Sequence, residues 1–138
     1  MDKDLAREEL EAGLPHFTGS EEFHRVQKIC NKPVYATDGV KFLCDKGGCY
    51  WLLDAITSHQ PKLRGEDFQT WKLTVSVEGT IRNGIAVNRE QAMLVCEDGN
   101  NNKLRAQSIP FTDFPMSEIT LYAQVDDEKI VIMLPGEY

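Results

Sequence analysis

The hydrophobic rhythm of the chain predicts an α+β fold, with N-terminal helices packed on one face of a mainly antiparallel sheet of five to six strands. Three observations carry this. Cys49, Leu52, Leu53 and Ile56 recur at i, i+3, i+4 and i+7, the spacing that lays one apolar stripe along a helix. From Thr70 the period drops to two: Trp71, Leu73, Val75 and Val77 alternate with Thr70, Lys72, Thr74 and Ser76. Short, turn-rich connections join the later apolar runs, and such connections serve antiparallel neighbours, since parallel pairs need long crossovers. Helices first and strands afterwards, without alternation, favour α+β over a doubly wound sheet.

Residues 2 to 14 read as a helix with Ala6, Leu10 and Leu14 on one side, stopped at Pro15. Thr18-Gly-Ser-Glu21 offers a capping box for a second helix through Phe23, Val26 and Ile29, ended by Pro33. Thr37 or Asp38 supplies the N-cap of a third helix that buries Val40, Leu43 and Cys44. Gly47-Gly48 suits a helix end with a left-handed residue, and a fourth helix runs from about Cys49 to Ser58. The segment from His59 to Glu66 crosses from helices to sheet. Beyond the strand at Thr70, the apolar run from Ala92 to Cys96 and the strand ending near Ile109 form a hairpin around Asp98-Gly-Asn-Asn-Asn102. Ile119 to Val125 and Ile130 to Leu134 form a second hairpin around Asp126-Asp-Glu128. Asn83-Gly84 hints at another turn, while Glu78 to Gln91 reads equally as an irregular connection.

At 138 residues the chain fits one domain, residues 1–138, with a helical part over 1–62 and a sheet part over 66–138. Its 41% hydrophobic and 27% charged residues are globular usage, far from the composition of disorder. Fifteen Lys and Arg against 22 Asp and Glu give a net charge of -7, which argues against broad contact with phosphate backbones and suits either plain solubility or a basic protein partner. The start Met-Asp-Lys-Asp-Leu-Ala-Arg lacks the pattern of a secretion signal, and no run approaches the roughly 18 apolar residues of a membrane span, so a cytoplasmic location is expected. The four cysteines, Cys30, Cys44, Cys49 and Cys96, form no Cys-x-x-Cys pair and read as small core residues.

Four stretches carry a resemblance: Tyr35-Ala-Thr-Asp-Gly-Val-Lys-Phe-Leu43, Gly48-Cys-Tyr-Trp-Leu-Leu-Asp-Ala-Ile-Thr-Ser-His-Gln60, Phe68-Gln-Thr-Trp-Lys-Leu73 and Ile109-Pro-Phe-Thr-Asp-Phe-Pro115. Together they resemble an uncharacterised family of small acidic proteins encoded in bacterial, phage and plasmid genomes, and the likeness runs from about Leu14 to Tyr138. The resemblance implies a setting in mobile genetic elements and a host-directed or anti-defence binding role. It carries over no catalytic residue.

The residues themselves assemble no reaction centre. His16, His24, His59 and the cysteines include one close pair, Cys44 and Cys49, without a second to complete a tetrahedral zinc set, so no metal and no cofactor are expected. No Gly-x-Ser-x-Gly elbow places a nucleophile, and adjacent Ser58 and His59 point about 100° apart on a helix, where a terminal histidine instead complements the dipole. Asp45-Lys-Gly-Gly48 lacks P-loop spacing, and the helix after it carries no Lys or Arg to read a major groove. The best catalytic candidates are Asp38 and Asp113, the latter set between Phe111 and Phe114, which would bury it and raise its pKa; helix capping and turn chemistry account for both equally well. The expectation is therefore a non-enzymatic, protein-binding accessory protein that engages a host protein through Tyr50, Trp51, Asp54, Phe111, Asp113 and Phe114. Two alternatives stay open. One is a small hydrolase, which requires Asp38, Asp113, His24 and His59 to share a pocket; the other is a self-associating structural protein that buries a sheet edge.

Overall fold

The structure, a computed structural model, describes residues 3–19, 22–29 and 31–138, with no side chain described at 78, 80, 82, 87 or 88. In chain order its elements are α1 (Lys3–Gly13), β1 (Phe23–Ile29), β2 (Lys32–Thr37), α2 (Asp38–Gly47), α3 (Tyr50–Ser58), β3 (Phe68–Arg82), β4 (Ile85–Glu97), β5 (Lys103–Ile109), β6 (Glu118–Val125) and β7 (Ile130–Met133), with 3-10 turns at Leu14–His16, Gln60–Lys62 and Pro135–Glu137. The strands form one sheet in the order β1-β2-β7-β6-β3-β4-β5. All neighbours are antiparallel except β2 and β7, which run parallel through Val34 to Ala36 and Ile130 to Ile132.

The α+β class stands, but the sheet has seven strands rather than five or six, and the N-terminal part is not all helical. The segment predicted as a helix through Phe23, Val26 and Ile29 is β1. The reason is a bulge: Arg25 pairs with Tyr35 and Gln27 with Val34, so Val26 is an extra residue. An inserted residue turns a two-residue rhythm into a three-residue step, and that step imitates a helical stripe. The capping pattern at Ser20 and Glu21, and Cys30, lie outside the described residues. The stretch from Glu78 to Gln91 is regular strand, with Arg82 paired to Ile85 around Asn83-Gly84.

Helix limits follow local chemistry. The Val40 N–H donates to Thr37 Oγ1 at 3.4 Å, so Thr37 caps α2. Gly48 ends it in the left-handed region at φ 61°, with its successor Cys49 returning an N–H to the Cys44 carbonyl at 3.2 Å.

Residues paired across a ladder share a sheet face. The row Ala36–Ile132–Ala123–Gln69 and the row Leu121–Trp71–Cys96 therefore lie on one face. With Val34, Leu73, Leu94 and Ile130 they join Leu10, Val40, Leu43, Cys44, Leu52, Leu53 and Ile56 of the helices in a single core. Within it, Gln60 and Gln69 exchange amide hydrogen bonds of 2.9 Å, and Trp71 Nε1 donates to Gln69 Oε1 at 2.9 Å, which satisfies a polar layer that burial would otherwise penalise. The opposite face carries the edge-to-face trio Phe68, Tyr122 and Tyr138, with ring centroids 5.0 to 6.0 Å apart.

Candidate functional site

The feature least explained by folding is the outer half of the β3–β4 hairpin. Pairing of β3 with β6 ends at Thr74, and pairing of β4 with β5 ends at Ala92. From Ser76–Gln91 to Arg82–Ile85 the two strands continue together as an arm about 20 Å long at roughly 3.3 Å per residue. Asn83 and Gly84 both take positive φ, 51° and 75°, the signature of the tight turn whose twist matches paired strands. The arm carries Val77, Ile81 and Ile85 at 64%, 78% and 67% exposure, and Phe111 at its base is 70% exposed. Thr112 N–H donates to the Glu90 carbonyl at 3.1 Å, and the Arg89 guanidinium lies 5.0 Å over the Phe111 ring, which ties that aromatic to the arm. Val77 and Ile81 occupy one face of β3 while Ile85, paired with Arg82, lies on the other, so the arm is apolar on both sides.

The six residues predicted to meet a partner separate. Phe111 and Asp113 are exposed, but Phe114 is 1% exposed and sits in the core. That is a correction with a local cause: the Phe114 N–H donates to Thr112 Oγ1 at 3.1 Å, a turn that throws Phe111 outward and Phe114 inward. Asp113 is accordingly not enclosed by aromatics. On α3, Tyr50 and Asp54 are exposed one turn apart, whereas Trp51 is half-buried against the core. Tyr50 OH donates to Asp45, which holds the phenol up to about 12 and, with Lys41, holds the Asp45 carboxyl below the usual carboxylate range. Asp54 accepts from Gln27 Nε2.

Of the four catalytic candidates, the structure brings His24 and Asp38 together. His24 Nε2 lies 2.7 Å from Asp38 Oδ1. His59 caps the end of α3, where its Nε2 meets Gln107 Oε1 at 2.8 Å, its Nδ1 accepts from Arg105 Nε at 3.3 Å, and its ring lies 5.6 Å from that of Trp71. Those bonds fix its tautomer and occupy both ring nitrogens. Cys44, Cys49 and Cys96 are buried. A side-chain hydrogen bond with Cys44 that favours the protonated thiol, together with burial, pushes Cys49 up, and burial pushes Cys96 up to about 12, so neither offers a thiolate at neutral pH. No helix among the described residues is long and apolar enough to cross a membrane.

Asn83-Gly84 between β-branched Thr80-Ile81 and Ile85 is the hairpin signal of the arm in the sequence, whereas the exposure of its apolar residues is a property of the structure alone. Neither a curated protein nor a solved structure matches the chain. Residues 8–138 match a family model described as a family of unknown function, DUF6876.

Proposed function

The chain belongs to this family of unknown function, and we propose that it acts as a non-enzymatic, cytoplasmic protein-binding module whose docking element is the β3–β4 arm. The observation that carries the reading is the exposure of Val77, Ile81 and Ile85 on the two faces of a two-stranded ribbon, with exposed Phe111 at its base. An isolated hairpin is marginally stable in water, and a monomer gains nothing by exposing four large apolar side chains there. A partner surface that covers them supplies the missing burial.

The net charge of -7 steers the protein toward a basic partner and away from nucleic acid. The reading extends to an accessory protein of a bacterial phage or plasmid, an anti-defence inhibitor that occupies a basic nucleic-acid-binding surface of a host protein. The test is capture of a host protein from lysate at moderate salt with the intact chain and with the double substitution Ile81→Asp and Ile85→Asp. The expected result is a partner recovered by the intact chain and lost by the variant, with thermal unfolding of the two alike. Recovery of no partner, or equal recovery by both, overturns the reading.

One observation favours a second reading, self-association: beyond Thr74 and Ala92 the outer edges of β3 and β4 leave the sheet's ladders, and open edges pair readily with a second copy. A monomeric mass in solution excludes it.

A further inference from the structure

Independently of the arm, the β1–β2 ladder ends in a cluster of metal-ligand chemistry. Phe23 pairs with Thr37 and His24 with Ala36, so Glu22, just before β1, and Asp38, at the start of α2, flank the end of the ladder. The carboxylate oxygens of Glu22 and Asp38 and a ring nitrogen of His24 all lie within 4.8 Å of one another. Two carboxylates held this close repel, and a helix-capping role for Asp38 would explain that arrangement away. Capping does not. The Val40 N–H is taken by Thr37 Oγ1, and the Gly39 N–H donates to Glu137 at 3.1 Å, so the first turn of α2 is satisfied by other oxygens and the Asp38 carboxylate turns to His24 instead.

We propose that Glu22, His24 and Asp38 form a binding site for a borderline divalent cation of the zinc class. Zinc takes imidazole nitrogen and carboxylate oxygen at about 2.0 to 2.2 Å, which puts tetrahedral ligand atoms roughly 3.4 Å apart. The present separation of 2.7 Å between His24 Nε2 and Asp38 Oδ1 is a hydrogen-bond distance. Replacing that shared proton by a cation opens the pair by well under 1 Å in geometric terms, within the reach of side-chain rotation. The two carboxylates match the charge of a dication, and the imidazole nitrogen selects zinc, cobalt or nickel over magnesium and calcium, which prefer oxygen alone. Glu22 is exposed, so the fourth position faces solvent and takes water.

The test is calorimetric titration of the full chain with zinc chloride, with magnesium chloride as the control, and an absorption spectrum of the cobalt form. Expected are one zinc bound per chain, no comparable heat from magnesium, and a cobalt spectrum without thiolate charge-transfer bands, which separates this site from the cysteines. Loss of an outer-shell partner alone costs roughly 10- to 100-fold, so removal of a direct ligand should cost at least that: His24→Ala should weaken zinc at least about 100-fold and Glu22→Gln at least about tenfold. Glu22 is exposed on a segment outside the core, so its variant keeps the test valid if the His24 variant fails to fold. Absence of zinc binding at tens of micromolar, a thiolate spectrum, or zinc affinity unchanged by Glu22→Gln overturns the proposal.

Discussion

Gly39 shows how much hangs on one missing methyl group. A Cβ there would lie 2.5 Å from both Glu137 Oε1 and Leu134 Cδ1, closer than real side chains approach. Gly39→Ala should therefore displace the Glu137 carboxylate and cost about 1 to 3 kcal/mol in denaturant unfolding, the range for overpacking. Gly99→Ala, with nothing within 4 Å of the added carbon, should be close to neutral and is the internal control. Tyr50 supports a second measurement. Its phenol is raised to about 12 by the hydrogen bond to Asp45. A tyrosine raised above its unfolded value near 10 keeps its proton in the folded state while the unfolded chain loses one, so its contribution holds below about pH 10 and fades as pH rises toward 12. Absorbance titration should show one of the four tyrosines ionising late, and Asp45→Asn should bring it down; an unchanged curve in the variant refutes the assignment. At this scale the sequence was informative where one residue's chemistry decides the outcome. A cap at Thr37 or Asp38 and a left-handed residue within Gly47-Gly48 follow from side-chain oxygen and missing Cβ alone, and the structure selects Thr37 and Gly48. Phe111 and Phe114 do not, because a single turn hydrogen bond to Thr112 decides which ring is buried, and no periodicity encodes it.

At the level of elements, the hairpins β4–β5 and β6–β7 were legible because turn residues and apolar alternation agree. β1 was not. Its bulge at Val26 shifts the side-chain parity, and Gln27 pairs with Val34 rather than with the residue that strict alternation demands. β2 was hidden by Pro33, which reads as a terminator; it sits one residue before the parallel ladder with β7 begins at Val34, where the missing N–H is tolerated. The arm was ambiguous for a different reason. Strand pattern normally reports one buried face, and here both faces meet water, so apolar and polar residues follow no burial rhythm. That same lack of cover makes a prediction. In native-state hydrogen exchange the amides from Val77 to Ala86 should exchange about 100-fold faster than those of Trp71 and Leu73 in the same strand, because only ribbon pairing protects them. Uniform protection along β3 would mean that the arm is covered in the isolated protein and would count toward self-association.

Across the whole molecule, the decisive connection is the one between β2 and β7, because it joins a hairpin near residue 30 to a strand near residue 130 and so attaches β1 and β2 to the other five strands. Sequence rhythm has no access to it: parallel pairing across about a hundred residues leaves no local mark, and both strands are short. The Pro135–Glu137 turn reinforces the joint. The Glu137 carboxylate accepts from Thr37 Oγ1 at 2.6 Å, from the Gly39 N–H at 3.1 Å and from the Leu134 N–H at 3.1 Å, so one side chain ties the end of β2, the start of α2 and the exit of β7. Removing it by Glu137→Ala leaves part-buried donors without an acceptor, at a cost of about 2 to 4 kcal/mol given roughly 1 to 3 for each such group and partial rescue by water. If the sheet is one cooperative unit, the urea midpoint should fall while the slope of the transition stays constant, since the surface exposed on unfolding is unchanged. A biphasic transition, with the β1–β2 hairpin and α2 lost before the rest, would show instead that the Glu137 clasp is what makes the N-terminal elements part of the same fold.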